Sequence, residues 1–207
     1  MNERKLTLAF KGGRNYVHGT TMLDETTRLL SDSGYTRLND IEFLIHRMTD
    51  TNLELALVPG NENGAASADD VAVMRFVVDG RPLQVRIRSI EGVPDLRLPY
   101  DESLVVDRCE IDRAARRISL KKDDSGFSQT EVLVSMNKAL HLDVLEKPAG
   151  TSWVFCRWDS PSWPLPGNLS GVTVNLRQVL GTRLTRADVE MDGQRIGKIY
   201  FSAKAAS

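Results

Sequence analysis

Cysteine is scarce in this chain. Cys109 and Cys156 are its only two, so it holds neither a disulfide framework nor a CxxC pair. A reducing, cytoplasmic setting is the expectation. No apolar run approaches the roughly 20 residues that cross a bilayer. The opening residues, Met1 to Lys5, carry no apolar signal region and no cleavage pattern. An excess of one charge is missing too. The 27 basic and 28 acidic residues leave a formal net charge of -1, which argues against electrostatically driven nucleic-acid binding. The three histidines, His18, His46 and His141, are far apart and make no metal-site signature. Lys11-Gly-Gly-Arg14 lacks the spacing of a phosphate loop, and no Gly-x-Ser-x-Gly elbow occurs. No cofactor, no nucleic-acid partner and no membrane partner are expected.

What the chain does have is an internal echo. Thr20–Leu30 can be laid on Thr130–Leu140 without a gap. Lys5–Leu8 matches Arg117–Leu120, Ile41–Phe43 matches Trp153–Phe155, and Val78–Arg81 matches Met191–Gln194. The order and the offset are shared. A repeat this long is a whole structural unit and exceeds any solenoid repeat. Its 207 residues suit one large domain or two small ones sharing a core. The expected division is 1–103 and 104–207, a fused pair whose seam is a natural place for a ligand. A monomer or a homodimer is expected.

Periodicity supplies the elements. Leu6, Leu8 and Phe10 alternate as a half-buried strand. A glycine-bearing loop, Lys11–Gly19, leads to a helix capped by Thr20 or Thr21, with Asp24 and Glu25 in its first turn. Met22, Leu23, Thr26, Leu29 and Leu30 share one helical face, and Gly34 ends the helix. Strands are expected at Ile41–Met48, Leu53–Val58, Val71–Val78 and Leu83–Ile90, the last two joined by the hairpin turn Asp79-Gly80. Pro59–Ser67 reads as a polar loop and Gly92–Ser103 as a connector. The second half runs as strands Leu104–Ile111 and Arg117–Lys122, then a helix on Val132, Leu133, Met136, Ala139 and Leu140 stopped at 147–150. Strands Trp153–Trp158, Val172–Leu180, Ala187–Met191 and Arg195–Phe201 follow, with a proline-rich loop at Ser160–Gly167 and a turn at Asp192-Gly193. The class is α+β: each half packs one helix on an antiparallel sheet.

That order resembles the hotdog fold, in which a long antiparallel sheet wraps a central helix. Two copies resemble a tandem double hotdog. His18-Gly19 at the helix start, with Asp24 one turn on, resembles the thioesterase and acyl-carrier-protein dehydratase branch, which has Pro-Gly and a catalytic acid there. Glu25-Thr-Thr-Arg28 is similar to the Glu-x-x-Arg-Gln signature of AfsA-type hotdogs, with Leu29 in place of Gln. The dehydratases carry a histidine ahead of the helix, near the position held here by Phe10. In the second helix Val134, Ser135 and Lys138 stand where the first has Asp24, Glu25 and Arg28, so chemistry is expected in one half only.

The resemblance implies an enzyme acting on an acyl thioester, a dehydratase/hydratase or thioesterase, in fatty-acid, polyketide or related metabolism. Its substrate would be carried on coenzyme A or an acyl carrier protein. The alternative is a catalytically inactive acyl-ligand-binding or accessory protein of the same fold. The implied catalytic residues are His18, Asp24 and Glu25, because thioester chemistry needs an acid–base pair beside a helix N-terminus that polarises the carbonyl. Arg14, Tyr16, Gly19 and Arg28 are the implied substrate-binding residues. Each has a plainer reading. Asp24 and Glu25 can complement the helix dipole, Arg28 can pair with them along the helix, and His18 can satisfy loop backbone. His46 and His141 read as structural, Cys109 and Cys156 as packing residues, and Trp153, Trp158 and Trp163 as core or as walls of an acyl pocket.

Overall fold

A computed structural model describes residues 2–60, 69–146, 150–181 and 183–205. Most of the expected Pro59–Ser67 loop, and the helix stop at 147–149, lie outside the described residues. The contacts divide the chain into two compact units, Met1–Asp101 with Pro161–Pro164, and Glu102–Ser160 with Leu165–Ser207.

The first unit runs β1 (Asn2–Leu6), β2 (Ala9–Lys11), α1 (Gly19–Asp32), β3 (Leu38–Ile45), β4 (Leu53–Pro59), β5 (Asp70–Val78), β6 (Arg81–Ser89) and β7 (Leu96–Leu98). Its main sheet has the order β1-β4-β6-β5-β3, with every neighbour antiparallel. α1 buries Met22, Leu23, Thr26, Leu29 and Leu30, the face expected from spacing. Phe43, Leu55, Met74, Phe76 and Ile87 supply the apolar sheet side of the core. The helix ends as glycine at C′ dictates: Gly34 adopts φ +88, and the Ser33 and Tyr35 amides return to the Leu29 and Leu30 carbonyls.

The opening alternation is not one strand. Leu6, Leu8 and Phe10 are all buried, but β1 stops at Leu6 because the Leu8 amide turns to the Asn52 side chain at 3.0 Å. β2 then pairs in parallel with β7, inside the segment expected to be a plain connector.

The second unit runs α2 (Ser103–Val106), β8 (Cys109–Asp112), β9 (Arg117–Leu120), α3 (Gln129–Val144), β10 (Thr151–Trp163), β11 (Thr173–Leu180), β12 (Leu184–Met191) and β13 (Gln194–Ala205). Its strands are ordered β10-β13-β12-β11-β9-β8, again antiparallel. The strand expected at Leu104–Ile111 is half helix: the Val106 and Asp107 amides bond back to Glu102 and Ser103, and Val105 is fully buried. β10 also runs through Pro161 to Trp163, beyond its expected end, since proline's fixed φ tolerates extended backbone.

Three of the four echoed segments fall on like elements, α1 and α3, β3 and β10, and the turns β5–β6 and β12–β13; Lys5–Leu8 runs past the end of β1, whereas Arg117–Leu120 is the whole of β9. Both turns place Asp and Gly at positive φ, Asp79 and Gly80 in one, Asp192 and Gly193 in the other. The strand orders nevertheless differ. β5 lies beside β3 and β6 beside β4, whereas β13 lies beside β10 and β12 beside β11. The hairpin is inserted the opposite way round. Loop length explains it. β11 and β12 are separated by three residues, which makes them hairpin neighbours, while the ten residues between β4 and β5 let β6 take the place next to β4. Antiparallel strands with one long helix per unit are consistent with the hotdog fold.

Candidate active site

The site grows from the loop between β2 and α1. Gly12 sits at φ +57, where a side chain is strained, and a Cβ there would lie 3.3 Å from the Tyr100 carbonyl oxygen. Its amide donates to the Leu98 carbonyl at 2.9 Å, and the Val17 amide donates to the Thr49 carbonyl at 2.8 Å. The chain then enters α1 at His18, the N-cap, with extended backbone. This corrects the expectation that Thr20 or Thr21 caps the helix. It also moves Asp24 and Glu25 out of the first turn, which holds no acidic residue.

His18 is 8% exposed. Its Nδ1 shares a hydrogen bond of 2.7 Å with the Thr20 hydroxyl, which orients the ring. The Tyr100 ring meets it edge-on, with centroids 5.3 Å apart. The Arg14 guanidinium lies over that same tyrosine ring at 5.1 Å and the Lys11 ammonium at 5.8 Å. The His18 side chain makes no capping hydrogen bond to α1, and the Thr21 hydroxyl is buried without a hydrogen-bond partner among the described residues. The result is a buried imidazole at the N-cap of α1, beside a tyrosine ring that two cations face.

The proposed site residues are thus only partly gathered. Arg14, His18 and Gly19 come together around Tyr100 and the helix start. Tyr16 is half-buried in the same loop, and Asn15 is exposed. Glu25 is held by Arg28 one turn later, on the outward side of α1, the helical pairing that i,i+3 spacing favours. Asp24, also half-buried, is six residues beyond His18 in the second turn. Tyr100 is the member that sequence reading missed. It follows Pro99 in a segment with no periodicity, and only the β2–β7 pairing carries it to His18.

The second unit closes the corresponding place. Ser128 caps α3: its hydroxyl accepts from the Glu131 amide at 3.1 Å, and the Ser128 amide donates to the Glu131 carboxylate at 2.9 Å. This is a full capping box, with a buried carboxylate against the dipole. Its signature, Ser128-Gln-Thr-Glu131, is legible in the chain and was the missed signal. α3 thus has a side-chain cap where the α1 N-cap residue makes none.

The remaining candidates are structural. His141 is fully buried and bonded at both ring nitrogens, and burial pulls its pKa from 6.5 down to about 4. His46 is exposed. Burial pushes the Cys109 and Cys156 thiols up to about 11, which removes thiolate at neutral pH. Trp153 packs edge-on to His141, and Trp158 lies against Gly197. Of the basic run Arg113, Arg116, Arg117, Lys121 and Lys122, all but Arg116 are shown paired to a carboxylate. Among the described residues no group of three His, Cys, Asp or Glu could hold a metal, and no helix is long and apolar enough to cross a membrane.

No family model and no curated protein matches the chain. Solved structures do resemble it. A tesB protein of Mycobacterium avium subs. paratuberculosis is 8% identical over 96% of this chain and 91% of its own, with a TM-score of 0.46. An acyl-ACP thioesterase from Bacteroides thetaiotaomicron is 8% identical, covering 98% of this chain and 97% of its own, with a TM-score of 0.46. The bifunctional dehydratase-cyclase domain in ambruticin biosynthesis is 12% identical, covering 93% and 83%, with a TM-score of 0.45. Likeness at this level assigns no activity to any residue of this chain.

Proposed function

We propose that this chain is an enzyme acting on an acyl thioester, of dehydratase/hydratase or thioesterase type, built as a tandem of two hotdog-like units with its chemistry in the first. The observation that carries the reading is His18, a buried imidazole at the N-cap of α1, oriented by Thr20 and Tyr100. The first-turn N–H groups polarise the thioester carbonyl, where negative charge develops. His18 serves as acid or base. Asp24, half-buried in the second turn of α1, is its acidic counterpart; Glu25 is paired with Arg28. Arg14, Tyr16 and Gly19 line the approach, and the substrate arrives on coenzyme A or an acyl carrier protein. In hydrolysis, water adds to the carbonyl carbon and the thiol departs with a proton. In dehydration, a proton leaves the carbon next to the carbonyl and hydroxide leaves the next carbon as water.

The Glu25–Arg28 pair favours a second reading, an accessory protein that binds acyl ligands without turning them over. A panel of acyl thioesters assayed by mass spectrometry separates the two. His18→Ala and Asp24→Asn should each lower kcat/KM by about 10²–10⁴-fold with the fold intact. Full activity of both variants on a confirmed substrate rules the site out.

A further inference from the structure

We infer that Arg97 is the positioning residue of this site. It lies on β7, more than 80 residues from the loop it holds. Its guanidinium donates to the Gly12 carbonyl at 2.6 Å, to the Arg14 carbonyl at 2.7 Å and to the Asn15 side-chain oxygen at 3.0 Å. The same group lies over the Phe10 ring at 5.4 Å. Arg97 thus grips the loop on both sides of Gly13 and is itself braced on β2. The strand it belongs to continues directly into Tyr100, which carries Arg14 on its face and meets His18 at its edge. One short strap, residues 96–100, therefore sets both ends of the arrangement: Arg97 fixes the loop backbone, and Tyr100 orients the imidazole.

The chemistry suits arginine better than lysine. In the planar fork Nη1 reaches both carbonyls while Nη2 reaches the Asn15 oxygen, and the single nitrogen of a lysine keeps at most the first two. Elements that grip the backbone of a site loop set catalytic geometry without touching substrate, and a displacement of about 1 Å costs up to ~100-fold in rate. The positioning itself is independent of the reaction. Its catalytic consequence rests on the acyl-thioester reading.

The test uses the full chain and its three histidine ring signals in an NMR spectrum, since the His18 ring packs on Tyr100. In Arg97→Gln, the His18 signal should lose its ring-current displacement while His46 and His141 stay in place. Arg97→Lys should give an intermediate shift. Tyr100→Leu should displace the His18 signal as well, and adding Arg97→Gln to it should move that signal no further. An unmoved His18 signal in Arg97→Gln overturns the assignment, and so does a shift of all three histidines with a lowered Tm, which marks a merely structural residue. With a confirmed substrate, Arg97→Gln should lower kcat/KM by about tenfold or more. A shifted His18 with unchanged turnover leaves the positioning standing and removes the catalytic role of His18.

Discussion

His141 should make the second unit acid-labile in a defined pH window. Its ring is fully buried, stacked on Phe201 at 5.1 Å and edge-on to Trp153 at 5.2 Å. Nδ1 is bonded to the Asn137 carbonyl at 2.6 Å, and Nε2 lies 2.6 Å from the Thr185 hydroxyl. Desolvation lowers the pKa from 6.5 to about 4, and the Asn137 carbonyl only partly opposes it. The folded pKa is depressed, so the unfolded chain takes up the proton first. The stabilisation from the neutral ring is whole above the unfolded value and drains as pH falls from 6.5 through about 4. The gap corresponds to about 3 kcal/mol in full and about 2 kcal/mol by pH 5. At 2–4 °C per kcal/mol, the full loss lowers Tm by roughly 6–12 °C. Asp124 and Asp143 are held below the ordinary carboxylate range by Lys122 and Arg108, and by Arg113, so they titrate beneath this window. Urea unfolding followed by tryptophan fluorescence between pH 7.5 and 4.5 measures the slope. His141→Gln removes the titrating group, and its stability should fall less steeply with acid. Parallel slopes for the two proteins refute the argument.

Three further outcomes follow from packing and caps. Asn137 is fully buried with both amide atoms unbonded, so Asn137→Leu should raise stability by about 1–3 kcal/mol; a loss in urea titration would contradict this. Gly197→Ala places a Cβ 2.3 Å from the Trp158 ring and should cost about 1–3 kcal/mol, read as a lower Tm with a changed tryptophan spectrum. Ser128→Ala opens the α3 capping box and should cost about 1 kcal/mol, with Ser128→Asp restoring most of it; equal stability of all three proteins tells against the cap.

Much of the fold was readable from local patterns. The buried face of α1 follows from 3.6-residue spacing, because a helix repeats its side-chain directions at that interval. α3 departs from its expected face: it is buried on every side from Thr130 to Asn137, and Ala139 is only half-buried. The Asp79-Gly80 and Asp192-Gly193 turns follow from the positive φ that glycine and aspartate tolerate. The loss of the first strand at Leu8, and the helix in place of a strand after Ser103, were not readable. Alternation is the same in one strand as in two, and four apolar-rich residues fit either element.

The candidate site divides in the same manner. His18 and Gly19 at a helix start, and the Glu25–Arg28 pair, depend on residues within one or two turns of each other. Tyr100 and Arg97 reach the same loop from the far end of the unit, and no local pattern encodes that meeting.

Local chemistry by itself settled the turns, the buried face of α1 and the Glu25–Arg28 pair, since each depends on neighbours a few bonds away. Tertiary structure alone decided that a strap at residues 96–100 closes on the His18 loop and that the central hairpin takes opposite strand orders in the two units. Both outcomes depend on which distant strand wins a given edge. That choice reflects loop length and whole-core packing, which no short stretch of chain contains.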